Sequence, residues 1–279
     1  MSWFASLVLG LVQGLTEFLP ISSSAHLRLV AALAGWPDPG AAFTAVTQLG
    51  TETAVLVYFR RDITAIVGAW CRSLAGRHAG REQDARLGWM VLLGSVPIGV
   101  LGLLFQDAIE GPFRDLRLVA VSLIVLGLVL GAADRLHARR AGPGRTLDSL
   151  TLRDGLCLGL AQALALVPGV SRSGATISAG LLLGYTRRAA ARYSFLLAVP
   201  AVLASGFFEL RRIDSAHTAW GPTALATVLA FLVAYAVIAW LMGYLESRSF
   251  LPFVGYRVLV GALLLALVGA GVWTPGAGA

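Results

Sequence analysis

Residues 10–26 place side chains that could do chemistry inside an otherwise apolar run. They include an amide, a carboxylate, a proline, three consecutive serines and an imidazole, at Gln13, Glu17, Pro20, Ser22, Ser23, Ser24 and His26. Inside a membrane-crossing helix, a charged side chain costs about 2.5–3.5 kcal/mol. This cost indicates that the segment serves a ligand or a reaction, and not only a membrane crossing.

Glu17 and Gln13 could bind a cation. They are four residues apart, so they share one face of a helix. Glu17 lies near the end of the apolar run, where the helix dipole is negative. Oxygen ligands from a carboxylate and an amide favour Mg²⁺ or Ca²⁺ over Zn²⁺. We therefore predict a divalent-cation site on Glu17 and Gln13; the alternative is a carboxylate that only bonds its neighbours for structure.

A second interrupted run, at residues 168–174, adds an anion-binding group. Serines at both interruptions stand where a new helix begins, so they either cap backbone N–H groups or line an anion site. Arg172 adds a forked, permanently charged donor that matches phosphate oxygens; the alternative is a structural pair with Glu17. The predicted substrate-binding residues are Ser22, Ser24, Ser171, Arg172, Ser173 and Gly174.

Ser23 and His26 form a candidate nucleophile and proton acceptor on one side of a helix. A neutral imidazole could take the proton of a serine hydroxyl and later return one; the alternative is a buried histidine bonded to backbone. Together the two interruptions supply a set suited to phosphoryl transfer. Its predicted catalytic residues are Glu17, Ser23, His26 and Arg172. No nucleotide P-loop is present, so an apolar site favours a lipid-linked phosphate.

The composition predicts a helical membrane protein. Of 279 residues, 57% are hydrophobic and 13% are charged, whereas soluble domains carry about 25% charged residues. Repeated apolar runs of about 20 residues are typical of polytopic membrane proteins. The net charge is +7 and no lysine is present. The arginines cluster between apolar runs, which indicates topology and contact with membrane lipids, and no nucleic acid is expected as a partner.

Two apolar segments are too short to cross a bilayer as one straight helix. Residues 4–19 and 25–34 would form helices about 24 Å and 15 Å long, against a hydrocarbon core of about 30 Å. Residues 155–167 and 175–185 repeat this arrangement around the second break. Each pair predicts a re-entrant hairpin of two half-helices. The predicted full spans are about 42–59, 87–105, 117–133, 193–208, 222–244 and 251–272.

The two breaks also align as an internal repeat. A shift of 149 residues superposes three polar positions, namely Gln13 on Gln162, Ser22 on Ser171 and Ser24 on Ser173. Paired broken helices point to a site between repeats near the midplane. We therefore predict an all-α integral membrane protein, a polytopic bundle forming one transmembrane domain over 1–279. Its repeat halves are about 1–133 and 150–279, joined by a basic cytoplasmic loop at 134–154.

Arginine placement predicts that the repeats are inverted. The arginine-rich loops 60–86, 134–154 and 186–192 are assigned to the cytoplasm. Three full spans then separate the hairpins, so the second hairpin enters the membrane from the face opposite the first. The two broken tips are expected to meet inside the bilayer.

Three stretches resemble one known family. Residues 13–26 closely resemble the first signature of the bacitracin-resistance type undecaprenyl-diphosphate phosphatases, and residues 168–174 resemble the second. Residues 48–60 also look like that family, so the likeness covers the whole chain. It implies an enzyme of the bacterial cytoplasmic membrane that removes the terminal phosphate from undecaprenyl diphosphate. The reaction takes place on the extracytoplasmic side and recycles the lipid carrier for peptidoglycan synthesis in the cell wall.

The resemblance also implies roles for individual residues. It makes positions 13 and 17 the acidic motif, Ser23 the nucleophile, His26 its proton partner and Arg172 the phosphate clamp. Position 13 is often glutamate in the family, so Gln13 is a departure that weakens cation binding or leaves Glu17 as the sole carboxylate ligand. The resemblance does not place Glu52, which either compensates or pairs with an arginine.

Two other functions are open to the same architecture. Inverted broken-helix repeats are the usual plan of secondary transporters, so a polyprenyl-phosphate transporter or flippase is the alternative. The serine, histidine and arginine set separates the two, because a carrier needs binding groups and no nucleophile with a base. A second membrane-phosphatase superfamily relies on a lysine, and this chain has none. The expected partners are a polyprenyl diphosphate lipid and membrane lipids, with a homodimer left open.

Overall fold

Apolar runs separated by glycine, proline and arginine fold into helices. The structure, a computed structural model, describes residues 1–37, 40–76, 82–110, 113, 115–212 and 219–274. Within these residues the α-helices are α1 (Trp3–Thr16), α2 (Ser23–Leu33), α3 (Gly40–Tyr58), α4 (Arg60–Leu74), α5 (Glu82–Leu104), α6 (Gln106–Glu110), α7 (Leu116–Ala138), α8 (Leu152–Ala163), α9 (Arg172–Leu182), α10 (Arg187–Arg212), α11 (Trp220–Tyr244) and α12 (Leu251–Gly269).

Five helices of the described chain are long and apolar enough to cross a membrane, namely α5, α7, α10, α11 and α12. Each of them leaves large apolar side chains on the outside of the bundle, including Leu103, Leu128, Phe207, Leu232 and Leu259. Exposed apolar faces of this kind are stable only against lipid or another apolar partner. The predicted all-α, multi-pass membrane architecture agrees with these helices.

The predicted span 42–59 forms α3, but α3 is not among the five apolar helices. Its polar side chains lower its hydropathy and include Thr47, Thr51 and Glu52, all of which are buried. This helix packs against α10 and α11. It is therefore an interior helix whose polar face is turned into protein.

Three predicted loops are partly helical, and these predictions were wrong. The loop 60–86 contains α4, which buries Ile66 and Ala69 while Arg60 and Arg61 are exposed. Residues 77–81 of that loop lie outside the described residues. Helix α7 continues through the first part of the predicted loop 134–154, and α10 begins inside the predicted turn 186–192. Where arginines alternate with apolar residues, the chain forms the amphipathic end of a helix. A prediction based only on the number of charges assigns such a stretch to a loop.

The two predicted breaks are present and share one backbone geometry. Helix α1 ends at Thr16 and α2 begins at Ser23; α8 ends at Ala163 and α9 begins at Arg172. The residue before each new helix is a serine with positive φ, 74° at Ser22 and 69° at Ser171. Among the described residues other than glycine, only these two have positive φ. Such a conformation costs about 1–3 kcal/mol, so the surrounding packing must enforce it.

Close contacts between helices hold each broken segment against a neighbouring helix. Helix α1 packs along α11, and α8 packs along α5. A Cβ at Gly10 would lie 2.6 Å from the Ala226 carbonyl oxygen, and one at Gly159 would lie 2.2 Å from that of Gly94. Only glycine allows the backbones to approach so closely.

A polar anchor outside the five spans holds the start of α8. Thr151 caps the helix in a reciprocal capping box with Asp154. Asp154 also accepts from Arg145 at 2.7 Å and from the Tyr185 hydroxyl at 2.8 Å. Burial raises the pKa of this carboxyl, but these hydrogen bonds outweigh burial and hold it at about 2. These contacts connect the start of α8 to Tyr185, which lies three residues after the end of α9.

Candidate active site

Glu17 is the centre of the site, where it caps the end of α1 and is 7% exposed. Its Oε2 accepts hydrogen bonds from Gln13 Nε2 at 2.8 Å and from Ser23 Oγ at 2.6 Å. Its Oε1 accepts from Arg172 Nη2 at 2.8 Å. Ser23 begins α2 and Arg172 begins α9. One carboxylate therefore joins both broken helices.

Arg172 contacts two carboxylates with the same nitrogen. Its Nη2 lies 2.8 Å from Glu17 Oε1 and 3.8 Å from Glu52 Oε2. Glu52 is fully buried on α3, and neither of its oxygens has a hydrogen-bond partner in the described part of the chain. The pair between Arg172 and Glu17 that the sequence left open is thus present.

Ser23 and His26 do not bond to each other. The Ser23 hydroxyl donates to Glu17, so the carboxylate and not the imidazole is its proton acceptor here. His26 Nδ1 lies 2.7 Å from the Ser22 carbonyl oxygen, which requires a hydrogen on Nδ1. The other ring nitrogen, Nε2, then accepts from the Tyr256 hydroxyl at 2.7 Å, and the two rings stack. The expected hydrogen bond from Ser23 to His26 is replaced by these two contacts.

The predicted substrate-binding serines differ between the two breaks, because a serine side chain caps the new helix at the second break and not at the first. At the second break Ser171 Oγ accepts from Gly174 N at 3.2 Å, and Ser173 donates to the Leu19 carbonyl. At the first break Ser22 makes no side-chain cap; its hydroxyl lies 3.2 Å from that of Ser24. The first turn of α2 therefore keeps backbone N–H groups that a side chain does not cap, and such groups attract anions.

Arg257 on α12 is a site residue that the sequence reasoning missed. It is fully buried, and its guanidinium donates to five backbone carbonyl oxygens. One of these belongs to the first break and two belong to the second, and the full set is Pro20, Ser122, Leu123, Gly169 and Val170. The side chain holds the two breaks against α7. A lone arginine in the apolar run 251–272 was a signal for it, since an ionisable residue at membrane depth is rarely incidental.

The donor chemistry of the site fits a hard cation. Among the described residues, no group of three or more His, Cys, Asp or Glu side chains is placed to hold a metal ion. However, Gln13 Oε1 and both Glu52 oxygens are buried and have no hydrogen-bond partner. Mg²⁺ is commonly held by one or two carboxylates together with substrate phosphates, so these oxygens suit it.

A family model described as bacitracin resistance protein BacA matches residues 6–263. The chain belongs to the BacA family. Among its relatives, an undecaprenyl-diphosphatase 2 from Frankia casuarinae is 65% identical over all of this chain and 99% of the relative. A protein of the same name from Streptomyces avermitilis is 62% identical over 99% of this chain and 98% of the relative. An undecaprenyl-diphosphatase from Thermobifida fusca is 57% identical over 100% and 94%.

Membership of the BacA family agrees with the resemblance seen in the sequence. The matched range contains both breaks and every predicted site residue. Together with the five apolar helices, it makes this chain a multi-pass membrane protein. The two breaks of this BacA-family chain therefore meet at Glu17, which bonds Ser23 at the first break and Arg172 at the second.

Proposed function

We propose that this chain hydrolyses undecaprenyl diphosphate to undecaprenyl phosphate and inorganic phosphate. The relatives named undecaprenyl-diphosphatase, 57–65% identical over nearly the whole chain, support the substrate. The observation that carries the reaction is the single carboxylate, Glu17, that bonds both Ser23 and Arg172. A serine hydroxyl that donates a hydrogen bond to a carboxylate, with a guanidinium beside that carboxylate, is suited to attack on phosphorus.

The terminal phosphate is placed at the first turn of α2, where backbone N–H groups have no side-chain cap. Arg172 then exchanges part of its contact with Glu17 for the phosphate oxygens, which its forked guanidinium fits. This exchange frees Glu17 as a base at the moment when substrate is bound. Of the other predicted binding residues, Ser24 and Ser173 lie in the first turns of α2 and α9.

The reaction proceeds in two steps. Ser23 Oγ forms a bond to the terminal phosphorus, its proton passes to Glu17 Oε2, and the bond between that phosphorus and the lipid phosphate oxygen breaks. Water then attacks the phosphoserine, and the bond between phosphorus and Ser23 Oγ breaks. The proton of the water passes to His26 Nε2, which gives up its hydrogen bond from Tyr256, and Glu17 returns a proton to Ser23 Oγ. The His26 contact with Ser22 fixes the hydrogen on Nδ1 and leaves Nε2 as the ring nitrogen that can accept a proton. Attack by a water that Ser23 orients, without a phosphoserine, is the alternative.

We also propose Mg²⁺ or Ca²⁺ as a cofactor, with Glu17 and Gln13 as ligands. The negative end of the α1 helix dipole and the Gln13 side-chain oxygen, which has no hydrogen-bond partner in the described chain, support this site. When bound, the cation supplies positive charge that neutralises the diphosphate.

The fold proposal is two inverted repeats, about 1–133 and 150–279, each with a re-entrant hairpin. Helix packing supports it, because α1 meets α11 as α8 meets α5, and α3 meets α11 as α10 meets α5. The aligned glycines Gly10 and Gly159 both allow these close approaches. The aligned glutamines Gln13 and Gln162 are both fully buried.

We place the protein in the bacterial cytoplasmic membrane with the site open to the extracytoplasmic side. Support comes from a cavity of about 520 Å³ where the end of α3 meets the starts of α4 and α10, which is lined by Arg60, Arg61, Arg188 and Arg192. Arginines concentrate on the cytoplasmic face. Cys71 on α4 and Cys157 on α8 are both exposed, so the test uses a Cys157→Ala variant, in which a membrane-impermeant maleimide should label Cys71 only after sealed, right-side-out vesicles are opened. Labelling in intact vesicles would reverse the orientation.

Loss of the Ser23 hydroxyl should lower phosphate release. We expect purified Ser23→Ala to release inorganic phosphate from undecaprenyl diphosphate at least about tenfold more slowly in detergent, because the nucleophile is removed. Transport cannot occur in detergent, so release by the natural chain also excludes a carrier with no hydrolytic activity. The matched control is Ser95→Ala on α5, whose hydroxyl bonds only backbone carbonyls. Equal rates for Ser23→Ala and the control would reject Ser23 as nucleophile and favour direct attack by water.

A further inference from the structure

Glu52 is a buried carboxylate that the proposed steps do not use. Its side chain is fully buried on α3, and both of its oxygens lack hydrogen-bond partners among the described residues. Burying a charged group costs several kcal/mol unless it is paired and hydrogen-bonded. A group kept at that cost is better explained by a ligand than by packing.

The charges around Glu52 do not balance. Arg172 Nη2 lies 2.8 Å from Glu17 Oε1 and 3.8 Å from Glu52 Oε2. Within the described chain, Arg172 is the only cationic side chain within 4 Å of either carboxylate. Two carboxylates thus share one guanidinium, and ionising both of them would leave one negative charge unmatched in an apolar interior. A bound cation is the simplest way to balance it.

The buried atoms without hydrogen-bond partners are oxygens, which can act as metal ligands. Gln13 gives its amide N–H to Glu17, and its oxygen, on the same amide group, has no partner. The side-chain donors nearby, on Gln13, Ser23 and Arg172, already point at Glu17. Three buried oxygens, Gln13 Oε1 and the two side-chain oxygens of Glu52, therefore have no hydrogen-bond donor in the described chain. Hard divalent cations prefer such oxygens.

We propose that Glu52 is a third protein ligand of the divalent cation, contributed by α3 beside Glu17 and Gln13. The inference rests on the cation site of the proposed function and extends it to a helix outside both breaks. Helix α3 is held at a fixed position for this role, since a Cβ at Gly50 would lie 2.3 Å from the Thr227 carbonyl oxygen of α11. Glu52 supplies the second carboxylate that the uncharged Gln13 does not.

The test measures cation binding without substrate. Ca²⁺ and, separately, Mg²⁺ are titrated by calorimetry into purified, EDTA-treated protein in detergent. We expect Glu52→Gln, which keeps the shape and removes the charge, to weaken the apparent Kd at least about tenfold. Glu246→Gln is the matched control, because that glutamate is exposed and pairs with Arg188 on the surface. The control should bind as the natural chain does.

Stability measurements separate a lost ligand from a lost fold. In EDTA, Glu52→Gln should melt no lower than the natural chain, and the rise in Tm that Ca²⁺ gives should be lost. If Glu52→Gln does not fold, Glu52→Asp replaces it and should bind Ca²⁺ more weakly than the natural chain. Unchanged binding in the folded variant overturns the proposal. Phosphate release by a natural chain that binds neither cation would overturn the cation site alone and leave the proposed hydrolysis standing.

Discussion

Arg172→Ala should lower kcat/KM for undecaprenyl diphosphate by about 10²- to 10³-fold, the loss typical when a donor to developing transition-state charge is removed. Two effects act together. The phosphate loses its forked donor, and Glu17 and Glu52 lose the guanidinium nitrogen that contacts both. The measurement is inorganic phosphate release over a range of lipid concentrations in detergent, with the rate expressed per folded molecule.

The same variant tests whether Arg172 is only a structural partner of Glu17. Arg172→Lys keeps the charge without the fork, so it should recover part of the rate. Arg188→Ala is the control, because this arginine is exposed and pairs with Glu246 at the surface. A purely structural role would lower Tm while kcat/KM per folded molecule stayed near that of the natural chain. That outcome, or near-normal release by Arg172→Ala, rejects the clamp.

Arg257→Met should destabilise the protein by at least about 3 kcal/mol. The methionine fills a similar volume but donates nothing, so five carbonyl oxygens lose the donor that they share. Three of those carbonyls, on Pro20, Gly169 and Val170, belong to the breaks, and the site should loosen with the fold. Thermal melting in detergent, followed by helix content, measures the loss.

Two other variants define what Arg257 does. Arg257→Lys retains the charge but has a single donor group, so its Tm should fall between that of the natural chain and that of Arg257→Met. Arg248→Met removes an exposed arginine nearby in the chain and should leave Tm unchanged. A melting curve for Arg257→Met that coincides with the natural one would show that the breaks are held without this side chain.

Sequence reasoning found the two breaks because their causes are local. Proline and clustered serines interrupt apolar runs at residues 20–24 and 168–174, and both breaks are present in the fold. It placed Gln13 beside Glu17 because residues four apart share one face of a helix, but it paired Ser23 with His26, whereas the Ser23 hydroxyl bonds Glu17. It erred at α4 and at the helix ends, where arginines lie on the outer face of amphipathic turns.

Among the contacts between distant segments, the sequence offered only the pair of Arg172 and Glu17, as an alternative to phosphate binding. No spacing in the chain indicates that Tyr256 would bond to His26, or that Glu52 would lie within 4 Å of Arg172. These pairs come from helices that meet only after packing, at glycines such as Gly50, where a carbonyl of another helix takes the place of a side chain.

The amino-acid sequence by itself determined that the chain is a helical membrane protein with two broken segments bearing the groups for phosphoryl transfer, because hydropathy and helix breaking are properties of neighbouring residues. Only the tertiary structure decided which group accepts the Ser23 proton, that Arg172 stands between two carboxylates, and that Arg257 holds the breaks. Those features depend on distances between helices, which backbone contacts and buried charge set together.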